Sequence, residues 1–304
     1  MQKFIFGSLV WSLTLGTTLA SDWVSYRENA ISNSESIRQF DVLMKVTAFD
    51  TGAKKQVKRS IRIALDFDRK LCFCLDVMES EDPTDSKKSA KTLVRVAIQN
   101  DKIGRIKRYP GQGYVATTDL QSTLNEIGVP DPRCVGLGSF PQPFSQKGME
   151  TGFESYVTHR ARTTDRKGAP REEKITHARD YTRIWFPSTT ARAEYDFEPK
   201  TSMPLRYVQL ISNGNSFVRL QEEDYTWKDV EGVFVPKSVL SSRVLERSKL
   251  GVVIGEELIT GNMHWFTVNE PISKSLLDLN LVDDLSKLVK LVDPVPTGAD
   301  TLRE

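Results

Sequence analysis

The side chains best suited to chemistry in this 304-residue chain are three histidines, three cysteines and an arginine-dense segment. His159, His177 and His264 fall into no HExxH or other metal-ligand spacing. If residues 153–163 and 173–183 form a hairpin centred on Gly168, His159 lies opposite His177. Such a pair would bind a metal or titrate near neutrality, the alternative being an accidental pairing around a flexible loop. The same hairpin carries Arg160, Arg162, Arg179 and Arg183 beside Asp165 and Asp180. Rows of this kind make cross-strand ion pairs on a solvated face, or else contact an anion.

Cys72 and Cys74 stand two apart in a strand pattern, so their Cβ vectors run parallel, which is poor geometry for a bond between them. Two arrangements remain open: a disulfide from Cys72 or Cys74 to Cys134, or three buried thiols acting as small apolar residues. Two sulfurs with no Cys or His close in sequence do not make a tetrahedral metal set. Gly136-Leu137-Gly138 lacks the strand, third glycine and helix of a phosphate cradle, and no GxSxG occurs. Acid pairs such as Glu222-Glu223 and Asp283-Asp284 are expected on the surface of a chain with 40 acids. The expectation is no catalytic residue, no metal and no cofactor.

The elements that must position these residues are mostly strands. In KRSIRIALDFDRKLCFCLDV, residues 58–77, apolar side chains fall at alternate positions on both sides of Asp68-Arg69-Lys70. A hairpin centred on Arg69 sets Phe67 opposite Leu71, Leu65 opposite Phe73, Ile63 opposite Leu75 and Ile61 opposite Val77. These eight residues would form one continuous apolar wall. The two-residue period recurs at Phe40–Ala48, Val94–Ile98 and near 153–163, 175–186, 191–197, 205–212, 217–227, 233–245 and 252–268. Helical patterns are few: residues 25–34, Asp119–Ile127 and a stripe of Leu277, Leu281, Leu285, Leu288 and Val292. Loops are expected at 80–91, 128–152 and 165–174, the middle one long enough to be functional or a boundary. The fold class is mainly β (α+β), as a single domain over 21–304.

Residues 1–20 combine Lys3, an apolar run from Phe4 to Leu15, and Thr18 and Ala20 before a cut, the pattern of a cleaved signal peptide. The expected location is periplasmic or extracellular, with no later segment long and apolar enough to span a membrane. Lysine and arginine exceed the acids by only two, 42 against 40, which argues against a nucleic-acid partner.

The segment Tyr195–Leu240, YDFEPKTSMPLRYVQLISNGNSFVRLQEEDYTWKDVEGVFVPKSVL, runs as strand, Asp/Pro/Thr turn, Pro-Leu-Arg strand, NG turn, a strand with Tyr225 and Trp227, an acidic-Gly turn and a strand opening VFVPKS. It resembles the outer-membrane lipoprotein carrier superfamily, the LolA-like proteins and related periplasmic sensors. That resemblance implies a strongly curved antiparallel sheet forming a half-barrel with a few short helices, whose concave face takes a lipid or lipoprotein acyl chain. Ile61, Ile63, Leu65, Phe67, Leu71, Phe73, Leu75 and Val77 would supply the apolar wall, open as a pocket or filled as an ordinary core. The alternatives are an envelope protein-interaction or sensor module on the same scaffold and a secreted hydrolase without a recognisable motif.

Overall fold

The computed structural model describes residues 22–81, 91–101, 103–110, 112–117, 119–137, 173–187, 191–214, 216–247 and 253–293. The leader at 1–20, His159, Arg160, Arg162, Asp165 and the strand expected at 153–163 lie outside them.

The described chain builds one antiparallel sheet of 13 strands. In chain order they are β1 (Gln39–Asp50), β2 (Lys55–Asp66), β3 (Leu71–Glu81), β4 (Lys91–Gln99), β5 (Gly104–Tyr109), β6 (Gln112–Thr117), β7 (Lys174–His177), β8 (Thr182–Phe186), β9 (Ala191–Phe197), β10 (Pro204–Ser212), β11 (Phe217–Val230), β12 (Val233–Arg247) and β13 (Val253–Val268). The spatial order is β6-β5-β4-β3-β2-β1-β13-β12-β11-β10-β9-β8-β7. Two meanders therefore meet where the first strand pairs with the last. Helix α1 (Asp22–Ser36) precedes the sheet, α2 (Leu120–Ile127) follows β6, and two 3-10 turns and α3 (Leu285–Lys290) follow β13.

The sheet is a curved, unclosed half-barrel. One buried cluster joins Ile106 of β5, Ile61 and Ile63 of β2, and Ile184 and Phe186 of β8. The cluster runs through the intervening strands of both meanders, and helices α1 and α2 pack on this same face, which is the inner one. The inner core is completed by Trp23 and Ala30 of α1, and by Leu120, Leu124 and Ile127 of α2. The three α2 residues recur at helical spacing, which turns one stripe to the sheet. Asp119 starts α2 by accepting the Ser122 N–H at 2.7 Å, and Gly128 ends it in the left-handed region, φ 63°.

A second core lies on the outer face of the first meander. Leu43, Ala64, Phe73, Leu75, Val77, Val94, Val96 and Ile98 are covered there by Ile272, Leu276, Val282, Leu288 and Val292. This C-terminal cover is not the single amphipathic helix that its leucine stripe predicts. Asp278 and Asp284 each accept a backbone N–H, from Asn280 at 3.0 Å and Lys287 at 3.1 Å, and so restart the chain in short turns. Leu285 consequently points outward, 38% exposed.

The hairpin of β2 and β3 is displaced by one residue from the alternation-based register. Leu65 lies opposite Cys72, Ile63 opposite Cys74 and Ile61 opposite Asp76. The turn decides this. Asp66 Oδ1 accepts the Arg69 N–H at 2.9 Å and Lys70 takes φ 58°, which makes four linking residues between paired Asp66 and Leu71. The expected wall therefore divides. Ile61, Ile63, Leu65 and Phe67 belong to the inner core, whereas Leu71, Phe73, Leu75 and Val77 belong to the outer one.

Candidate functional site

One end of the inner face is closed by the chain itself. Residues 129–137, GVPDPRCVGL without its first glycine, are buried throughout and bring a 3-10 turn, Pro132–Cys134, against α1 and β12. Within it Arg133 and Asp131 form an ion pair, with side chains 3% and 2% exposed, and Arg133 also lies 4.0 Å from the Phe67 ring centre. A pair so deep is satisfied by its two parallel hydrogen bonds, 3.1 and 2.9 Å. The first part of the expected 128–152 loop is thus a packed plug.

The second meander lines the inner face with aromatic rings. Trp23 sits 5.1 Å from both Phe186 and Tyr195, and Tyr195 lies 5.0 Å from Tyr207. Beside them the fully buried Glu223 accepts hydrogen bonds from Tyr225 Oη and Gln221 Nε2, each at 2.5 Å.

The first meander differs at the end away from the plug. Register places Val46, Arg59, Met78 and Leu93 side by side across β1 to β4, with Ala48 opposite Val57 one step further out. Val46 is 5% exposed, but Ala48, Val57, Arg59, Met78 and Leu93 are only half-buried. Just below them Asp76, with no exposed side-chain surface, holds two arginines. Arg59 donates from Nε to Oδ1 at 3.1 Å and from Nη2 to Oδ2 at 2.9 Å. Arg95, directly opposite Asp76, donates from Nε to Oδ2 at 3.0 Å and again from Nη2. The result is an apolar patch floored by a doubly engaged carboxylate.

The outer face shows two chemistries. Over the first meander, the cover is fastened by Arg105 and Lys107 to Asp283 at 3.0 and 2.7 Å, and by Tyr109 Oη to the Val282 carbonyl at 2.5 Å. Arg62 and Lys45 donate to the Leu291 and Val292 carbonyls, at 3.4 and 2.5 Å. Hydrogen bonding to Lys107 holds the Asp283 carboxyl below its ordinary value, and burial lowers Lys45. Over the second meander the face is ionic. Arg183 pairs with Asp196 at 2.6 Å, Arg192 with Glu194, and Arg206 with Glu222. Arg183 thus takes the solvated-face role expected of such rows, with the Asp196 hydrogen bond raising its pKa.

Residues 175–186 form their own hairpin, because Ala178 N–H bonds the Tyr181 carbonyl at 2.9 Å and turns the chain there. His177 therefore faces Thr182 across this hairpin, with Nδ1 3.3 Å from Oγ1, while its expected partner His159 lies outside the described residues. His264 is on β13, in an edge contact with Phe266 at 4.7 Å. Among the described residues no group of three or more His, Cys, Asp or Glu is arranged to hold a metal. Cys72, Cys74 and Cys134 are buried free thiols. A hydrogen bond with Cys72, and then burial, push the Cys74 thiol well up; burial and nearby Asp131 do the same to Cys134.

Arg59, Asp76 and Arg95 were not among the residues singled out by motif. The signal available was their register: charges breaking the alternation of adjacent strands, with Asp76 and Arg95 at facing positions and Arg59 one step along β2.

No protein-family model matches the sequence, and no curated protein matches it. Among solved structures, a DUF1329 family protein from Desulfovibrio piger ATCC 29098 is similar over 85% of this chain and 98% of its own, at 10% identity and a TM-score of 0.38. MucB is similar over 81% and 93%, at 10% identity and a TM-score of 0.25. The MucA/MucB complex of Pseudomonas aeruginosa gives 79% and 94%, at 9% identity and a TM-score of 0.25. The architecture above rests on strand register, not on these likenesses. Among the described residues no helix is long and apolar enough to cross a membrane.

Proposed function

We propose that the protein is a non-catalytic binding protein of the cell envelope, exported through its N-terminal leader, that takes an apolar ligand on the inner face of the half-barrel. The observation that carries this is the half-buried apolar patch of Ala48, Val57, Met78 and Leu93 beside the closed core. Ile61, Ile63 and Leu65 are fully buried under the chain's own elements and form the floor, so the ligand surface lies further out than the alternation of residues 58–77 suggests. Concave surfaces with a few placed polar groups are the usual form of such sites. Native mass spectrometry of protein purified from its own envelope tests it. A stoichiometric lipid adduct is expected; a preparation carrying only a bound protein overturns it.

That second outcome matches the interaction-module reading, which its own observation favours. Phe49, Phe217, Leu245, Val253 and Ile254 are 36–50% exposed at the neighbouring ends of β1, β11, β12 and β13. Exposed apolar groups gathered in one place mark interaction surfaces more often than scattered ones do.

A further inference from the structure

We propose that the ligand of the inner patch carries an oxyanion headgroup, a carboxylate or a phosphate, received by Arg59 and Arg95. The inference rests on the binding role given above and assigns the polar end of that ligand.

The argument is one of charge and geometry. Asp76 on β3 is flanked by Arg95 opposite it on β4 and by Arg59 one step along β2. A strand-to-strand tie needs one guanidinium for one carboxylate. Here two guanidiniums share it, and Arg59 + Arg95 − Asp76 leaves a formal charge of +1 in a partly desolvated place, with side chains 18% and 23% exposed. The neighbouring Arg108, opposite Arg95, is engaged by Glu126 and adds no net charge. The C-terminal end of α2 lies near Arg95, where a Cβ on Gly128 would be 3.7 Å from Nη1, and its carbonyl dipoles offset about half a charge at most. Both arginines spend their Nε–Nη2 edge on Asp76, which fixes each guanidinium plane and leaves its Nη1 amino group outside that contact.

Fixed, partly dehydrated guanidiniums beside Met78, Leu93 and Val57 suit an amphiphile. The apolar residues take the chain, and charge-assisted hydrogen bonds take the headgroup. Asp76 acts as a positioning residue, since its carboxylate orients the donors and does not meet the ligand.

Calorimetric titration of the purified protein with myristate, dimyristoyl phosphatidate and myristyl alcohol tests this. At least one acid is expected to bind about 10- to 100-fold more tightly than the alcohol, the range of one charge-assisted contact. Arg59→Gln is expected to abolish that preference, bringing the acids to the affinity of the alcohol for the same variant, and Arg59→Lys to retain part of it. Matching thermal melts exclude unfolding as the cause; should Arg59→Gln fail to fold, Arg95→Gln and Arg59→Lys serve instead. Preference for only one acid supports the proposal and identifies the headgroup. Equal binding of acids and alcohol, unchanged in every variant, overturns the headgroup assignment and leaves the apolar-ligand role standing. Binding of none of the three overturns both.

Discussion

Gly136 lies against Pro204: a Cβ added at Gly136 would stand 2.5 Å from Pro204 Cγ and 3.3 Å from the Trp227 ring. The plug of the inner face is thereby seated on β10 and β11 at a point where no side chain fits. Gly136 also has φ 78°, a conformation costly for other residues. Gly136→Ala is expected to destabilise the protein by roughly 2–4 kcal/mol, from overpacking plus backbone strain. Chemical denaturation measures it, and a change below about 0.5 kcal/mol, the ordinary surface value, would show that the plug is not seated there.

Leu65 and Phe73 are both fully buried, in different cores on opposite faces of the sheet. Each truncation to alanine is expected to cost about 2–5 kcal/mol. Their double-mutant coupling energy should stay under about 0.5 kcal/mol, because the side chains share no cavity. Coupling of 1 kcal/mol or more, roughly that of a direct cross-strand pair, would restore the register in which they face each other.

This pair also shows how much was legible. Alternation located most strands, since apolar residues at every second position need one dry face. It did not fix the register of β2 and β3, because Cys72 and Phe73 are both apolar and either suits a place opposite Leu65. The Asp66 turn settled that choice. β5 escaped notice because Arg105 and Lys107 occupy its outer positions and meet Asp283, a partner 176 residues or more away in sequence. Arg59 and Asp76 read as ordinary polar positions until the sheet brought Arg95 beside them.

The C-terminal cover should loosen in acid. Hydrogen bonds to Lys287 lower the Asp284 carboxyl from 3.8 to about 2, and Asp283 is lowered by Lys107. Since both folded-state values lie below the ordinary one, the ionised carboxyls favour the fastened cover at any pH above about 3.8, and this gain disappears as pH falls toward about 2. Hydrogen exchange at residues 274–292 is expected to accelerate in that window ahead of β1 and β13. Asp283→Asn together with Asp284→Asn should remove the pH dependence; a double variant with an unaltered profile would refute the assignment.

The thiols give a simple count. Cys72, Cys74 and Cys134 are all buried, and Cys74 and Cys134 are also held protonated, so the three should resist a thiol reagent at neutral pH and react as three groups once the protein is denatured without reductant. Recovery of a single reactive group would establish the disulfide to Cys134 instead.

The pairing of β1 with β13 bears on the order in which the molecule can be assembled. A chain made from its N-terminus first produces one complete ladder of hairpins whose leading strand has a bare row of amides and carbonyls along one side. That row stays unsatisfied until the final long strand arrives, more than 200 residues later. During the interval an unprotected edge invites pairing with other copies, so this architecture rewards delayed folding or an escort that shields the first ladder.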